Sequence, residues 1–190
     1  MTSTRTLSLI AVTVSLALLA AGCGSSGGNS TTTTTSASAT ETWASGVCTS
    51  LTTWQDAITS AAASLKSDPT KNGLQTAADD AKSATQTLSS DLKGLGKPDT
   101  PSGQQAKDSL DQLATSLEQN TTTIENSLKN ASGISGVISA VSSATVTLAT
   151  MGTEVKTTFS DLQGLDAKGE LKSAFTSSSS CKTLTSTTGS

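Results

Sequence analysis

The sequence predicts an all-α protein, an antiparallel up-down-up-down four-helix bundle with a short fifth C-terminal helix. Three observations predict it. Apolar residues recur in steps of three and four from residue 41 onward, close to a heptad pattern. Proline and glycine clusters cut that pattern into four long segments. The connections are short, so consecutive helices should run antiparallel.

The first stripe is Ala44, Val47, Leu51, Trp54, Ile58, Ala61 and Leu65, stopped by Ser67-Asp68-Pro69. The second is Leu74, Ala78, Ala81, Thr85, Leu88, Leu92 and Leu95, ending at Gly94-Leu95-Gly96. Lys97-Pro98-Asp99-Thr100-Pro101 then supplies a cap-and-proline start for the third, which runs Ala106, Leu110, Leu113, Leu117, Thr121, Ile124 and Leu128. The fourth is Ile134, Ile138, Val141, Thr145, Leu148, Gly152, Val155, Phe159 and Leu162. Its Val, Ile and Thr favour strand by propensity, but its period is not two, which keeps it helical. A short helix around Leu171 to Phe175 should fold back before a disordered tail at 182–190.

The N-terminus reads differently. Arg5 precedes an uncharged apolar run from Leu7 to Leu19, shorter than the about 20 residues a membrane-spanning helix needs and the length of a signal-peptide core. The run leads into Leu19-Ala20-Ala21-Gly22-Cys23, which resembles the lipobox of bacterial lipoprotein signal peptides. Ala20 stands where that motif most often has Leu. The resemblance implies that residues 1–22 are cleaved and that Cys23 is diacylated, leaving the protein on the extracytoplasmic face of the cell membrane. The alternative is an ordinary secretory peptide with Cys23 incidental.

Removing residues 1–22 from 190 leaves 168, enough for one domain with a real core. Residues 24–40, GSSGGNSTTTTTSASAT, contain no charge and no apolar type but Ala, so 23–40 read as a lipidated cysteine and a flexible tether. As a coil, that stretch would span roughly 20–25 Å. Its five consecutive threonines, 31–35, are also positions where an exported protein can carry sugars. The bundle itself is assigned to 41–181.

Charged residues are 14% of the chain, and Ser and Thr together number 68 of 190. The solvated face must therefore be hydroxyl rather than ionic. A net charge of −3 argues against nucleic acid, and against a polybasic attachment to anionic lipid. Membrane contact should come through Cys23 alone, and the other expected partner is an unidentified envelope protein or wall component.

With Cys23 lipidated, Cys48 and Cys181 remain, an even count for an oxidising compartment. Helix 1 carries Cys48 in its second turn, and the chain after helix 4 returns to the same end, so the two should form a disulfide. The alternative, two reactive thiols, lacks a C-x-x-C motif or a histidine to lower a thiol pKa.

No catalytic or metal site is predicted, and no cofactor. The chain has no histidine, which removes Ser-His and Cys-His pairs and imidazole ligation. Asp79 and Asp80 are adjacent on a helix and diverge by about 100°. Asp108 and Asp111 share a face turned from the Leu110–Leu113–Leu117 stripe. Thr153 and Lys156 have hydroxyl–lysine spacing in mid-helix, and Gly94-Leu95-Gly96-Lys97 follows no strand. These positions read as solvated surface and helix termination.

Trp43 and Trp54 lie eleven residues apart, on one side of helix 1. Counting along antiparallel helices places Trp54 level with Ala84 and Thr85, and with Met151 and Gly152, as a large ring facing small residues in a core. Farther along stand Ala61, Ala62, Ala77, Ala78, Thr121 and Thr145. Two outcomes are open for this layer: close helix approach that leaves no space, or a hydroxyl-lined ligand pocket.

Trp-Ala-Ser-Gly-Val-Cys at 43–48, Leu-Thr-Thr-Trp-Gln at 51–55, Lys-Pro-Asp-Thr-Pro-Ser-Gly-Gln at 97–104 and the late Cys181 resemble small Ser/Thr/Ala-rich lipoproteins of the actinobacterial type. That resemblance implies an envelope location and a bundle, and no reaction. The leading expectation is a non-catalytic envelope protein acting through its surface, which requires an exposed apolar or otherwise shaped patch. The alternative is a small-molecule binder using the small-residue layer. An enzyme has no residue constellation behind it.

Overall fold

A computed structural model of the chain describes residues 31–166 and 169–186. All of the regular elements among the described residues are helices: α1 (Thr31–Ser67), α2 (Lys71–Leu95), α3 (Gly103–Asn130), α4 (Gly133–Gly164), α5 (Glu170–Ser177) and α6 (Ser179–Ser186). The expected all-α class is therefore present, as is the short fifth helix around Leu171 to Phe175.

Local chemistry explains the breaks. Thr70 is extended at the N-cap of α2, and its hydroxyl oxygen accepts the Gly73 N–H at 3.2 Å, satisfying one of the donors a helix start leaves open. Glycine is required at position 73 because a Cβ there would lie 1.9 Å from the Asp68 carbonyl oxygen. Gly103 meets the same constraint, since a Cβ there would stand 2.0 Å from the Pro98 carbonyl oxygen. At the other end of α2, Gly96 takes φ +65° and turns the chain out of the helix, in keeping with Gly94-Leu95-Gly96 as a stop signal.

The packing is broad. α1 contacts α2, α4, α5 and α6; α2 contacts α3 and α4; α3 contacts α4; and α5 contacts both α4 and α6. Three of the four expected stripes are the buried ones. Val47, Leu51, Trp54, Ile58 and Leu65 of α1, Leu74, Ala81, Leu88 and Leu92 of α2, and Ala106, Leu110, Leu117 and Ile124 of α3 join a single core cluster.

In the fourth stripe Leu148, Val155, Phe159 and Leu162 are buried in the core and Val141 packs against it, but its start is misplaced. Ile134 and Ile138, expected inside, are 84% and 63% exposed, and the inward positions are Ala140 and Ala144. Two stripes in steps of three and four overlap in this helix and merge at Leu148. Residue size favours the one through the isoleucines, but it is the smaller side chains that face inward.

Gly152 is a second correction. It is half-buried, and a Cβ added there would meet nothing within 4 Å, so it does not press on Trp54 as height-counting suggested. Trp54 itself is buried at 2% exposure, and Met151 of the same turn is fully buried.

Two helix boundaries also move. α1 is already helical at Thr31, inside the stretch 24–40 assigned to a flexible tether, so Cys48 lies in mid-helix rather than in a second turn. Thr40 is buried, so the packed face starts before Ala44, and a helix once nucleated extends at little cost. Within the expected tail, α6 continues to Ser186, held on α1 by buried Cys181 and Leu184 at i, i+3 spacing. Cys23, residues 1–22 and residues 187–190 lie outside the described residues.

Candidate functional surface

Cys48 and Cys181 stand at disulfide distance, with their Cα atoms 5.0 Å apart across a sequence separation of 133. Both are buried, and Ser180 beside the bridge lies 3.4 Å from the Ser45 hydroxyl and accepts from Thr49 at 3.2 Å. An aromatic group builds the same end: Trp43 meets Phe175 edge-on at 5.9 Å, and Phe175 meets Phe159 edge-on at 5.4 Å. The Trp43 indole N–H donates to the Gly96 carbonyl at 3.1 Å. Asp166 ties α5 in, its carboxylate accepting the Leu171 N–H at 3.0 Å. These contacts tie α5 and α6 to α1 and α4.

The polar layer of the core is shorter than the expected ligand layer. The Trp54 indole N–H donates to the Thr85 hydroxyl at 3.2 Å, and the Thr85 and Thr121 hydroxyls lie 3.4 Å apart. Thr121 also donates to the Leu117 carbonyl at 2.9 Å. A hydroxyl has one proton, so of Thr121's two acceptors the Leu117 carbonyl at 2.9 Å is the stronger and the Thr85 oxygen at 3.4 Å the weaker.

The six residues expected to form a ligand layer do not share one surface. Ala61, Ala77 and Ala78 are buried in the apolar core, and Ala62 packs against it half-buried. Thr145 is half-buried and donates to its own helix at the Val141 carbonyl. Thr121 reaches a groove of about 330 Å³ between α2 and α3, where Lys82, Gln86, Glu118 and Glu125 form the rim.

Lys82 and Glu125 pair across that groove at 2.9 Å. Glu125 holds the Lys82 ammonium above its usual range by hydrogen bonding and charge, and Lys82 in turn pulls the Glu125 carboxyl down. Both side chains are partly exposed, so water screens the pair.

The carboxylates singled out in the sequence stay apart from one another's chemistry. Asp79 and Asp80 are exposed. Asp108 accepts from Gln104 at 2.9 Å, whereas Asp111 pairs with Lys107. Thr153 donates to the Ala149 carbonyl and not toward exposed Lys156. Among the described residues, no three of His, Cys, Asp or Glu gather in a metal-binding group.

What remains is α4. From Gly133 to Thr153 it has no charged residue, yet Ile134, Ile138 and Val146 project 84%, 63% and 64% exposed. By length and composition α4 would also pass as a membrane span. Its buried line through Ala144, Leu148, Met151, Val155 and Phe159 instead belongs to the protein core. Beside the isoleucines a groove of about 470 Å³ between α3 and α4 is lined by hydroxyls and amides, among them Thr123, Asn126, Asn130, Ser139 and Ser143. A second α3–α4 groove, about 360 Å³, is acidic at Glu154 and Asp161. No protein-family model, curated protein or solved structure matches the chain.

Sequence reasoning did not find the exposed isoleucines because a helix with a surplus of apolar residues offers more than one inward line. The signal available was that surplus: α4 has apolar residues beyond what one stripe needs, and before Glu154 no charges to mark its outer face.

Proposed function

We propose that the chain is a lipid-anchored, non-catalytic component of a bacterial cell envelope that acts through the outer face of α4. Cys23 carries the lipid, and the domain sits on the extracytoplasmic side of the cell membrane. The domain is an up-down-up-down four-helix bundle. Contacts that run in opposite order along neighbouring helices support this: Trp43 reaches Gly96 whereas Trp54 reaches Thr85, and Asn120 donates to Glu154 whereas Ser127 lies against Ser143.

The observation that carries the reading is the exposed Ile134–Ile138–Val146 face. Burying it costs no charge desolvation, and large apolar side chains held this far out in solvent on one helix are what a contact site requires. The lipobox-like Leu19-Ala20-Ala21-Gly22-Cys23 supports the anchor.

Expression of the full precursor in a lipoprotein-processing bacterium tests both parts. Intact mass should show a mature protein starting at diacylated Cys23, and Cys23→Ser should release it from the membrane or leave it unprocessed. Chemical cross-linking in isolated envelopes should give an adduct that Ile138→Glu abolishes. A soluble, unlipidated product beginning elsewhere, or an adduct indifferent to Ile138→Glu, would overturn the proposal.

A further inference from the structure

We infer that the surface covered on α4 is the same surface of a second copy, with the two α4 helices crossing antiparallel about Ser142. The inference rests on reading the α4 face as the working surface, and names its partner. A two-fold contact must be self-complementary: residue i meets j, and j meets i. Ile138 and Val146 lie four residues to either side of exposed Ser142, so antiparallel pairing sets each copy's Ile138 on the other's Val146. Ile134 then meets Thr150, eight residues out on each side.

Charge selects the orientation. The uncharged stretch is bounded by Lys129 at the end of α3 and by Glu154 on α4. Antiparallel copies bring a lysine end to a glutamate end, whereas parallel copies would align Glu154 and Asp161 with their own counterparts. The other long helices carry charges along their exposed faces, for example Asp56 on α1, Asp79 and Asp80 on α2, and Asp108 and Glu118 on α3. Another copy's α4 is the one described surface that matches this face in being both apolar and uncharged.

The hydroxyls of the helix are compatible with losing water. Thr145, Thr147, Thr150 and Thr153 donate to the carbonyls of Val141, Ser143, Val146 and Ala149 at 2.9–3.1 Å, so contact leaves none of these donors orphaned. A bilayer fits the same face less well. Gly133–Thr153 offers no Lys or Arg to anionic headgroups, and the adjoining groove is acidic at Glu154 and Asp161.

Cross-linking of the purified full chain tests the pairing. Ser142→Cys places a thiol on the two-fold axis, and mild oxidation should give a covalent dimer. With Cys23 changed to Ser throughout, Ser90→Cys, exposed on α2, and the parent chain should give no covalent dimer under the same conditions. In sedimentation velocity at tens of micromolar the parent should dimerise, and Ile138→Glu should weaken that association by roughly tenfold or more while leaving the circular dichroism unchanged. A monomer at every concentration, or Ser142→Cys cross-linking no faster than Ser90→Cys, would overturn the inference. Faster self-cross-linking at Ile134→Cys than at Ser142→Cys would overturn the antiparallel crossing. If the purified chain is monomeric while envelope cross-linking still depends on Ile138, the second copy is refuted and the surface reading stands.

Discussion

Two regions of the molecule use apolar residues in opposite ways. Where α5 and α6 pack on α1, and α5 on α4, Trp43, Phe159, Phe175, Cys48 and Cys181 are buried. In the first half of α4, residues of equal hydrophobicity stand in solvent. Periodicity brings both regions to a helix surface, and only the presence of a further covering element separates core from exposed face. Two eight-residue helices with a cross-link provide that cover at one end.

The largest expected effect breaks the covered end. Replacing Cys48 and Cys181 together by Ala removes a constraint on a loop of 133 residues, worth about 4–5 kcal/mol on the chain-entropy model. Thermal melting should shift down strongly while far-ultraviolet circular dichroism stays helical, because the core stripes of α1 to α4 remain. Loss of all helicity on reduction would mean that those stripes do not sustain the fold.

A pair of substitutions sharpens the contrast next. Phe175→Ala empties a fully enclosed ring site between Trp43 and Phe159 and should cost about 3–5 kcal/mol in urea unfolding. Ile138→Ser, which removes a comparable apolar side chain from the open face, should change monomer stability by less than about 0.5 kcal/mol. Equal costs would erase the distinction between the regions.

The middle of the core gives a smaller effect. Thr85→Val keeps the shape but withdraws the acceptor of the Trp54 N–H, leaving a buried donor unpaired at about 1–3 kcal/mol. Chemical denaturation measures it, and Trp54 fluorescence should respond in the same variant.

Smallest of all is the Lys82–Glu125 pair. The lowered Glu125 pKa contributes stability present above the ordinary carboxylate range and lost as pH falls through the folded value. The raised Lys82 pKa contributes stability present below the ordinary lysine range and lost as pH rises through the folded value. Glu125→Gln should therefore flatten a shallow stability plateau between those two ranges, with little change outside it, as read from melting temperature against pH.

Much of this was legible in the sequence. The helical class, three of four core stripes, the burial of Trp54, the α5 segment and the Cys48–Cys181 juxtaposition follow from spacing and punctuation. Three features did not follow. α6 is short and rich in Ser and Thr, and its helicity depends on docking through Cys181 and Leu184, which propensity does not report. The extension of α1 to Thr31 is tertiary in the same sense, since buried Thr40 lies where composition reads as tether. The exposed isoleucines of α4 escaped because alanine and isoleucine stripes satisfy the same period, and size was a poor guide to which one faces inward. Of the two outcomes open for the small-residue layer, Ala61, Ala77 and Ala78 follow the close-packed one, since small residues at similar heights become core as readily as cavity wall.

Accessibility of the α4 face in place tests the account most directly. Ile138→Cys and Ser90→Cys, each in the full chain, are labelled on intact protoplasts with a membrane-impermeant maleimide. Ser90→Cys should label readily without lysis, and Ile138→Cys should be protected until detergent disperses the protein. Equal labelling of the two positions before detergent would show that the α4 face is free in the envelope, and labelling of neither before lysis would contradict the extracytoplasmic location.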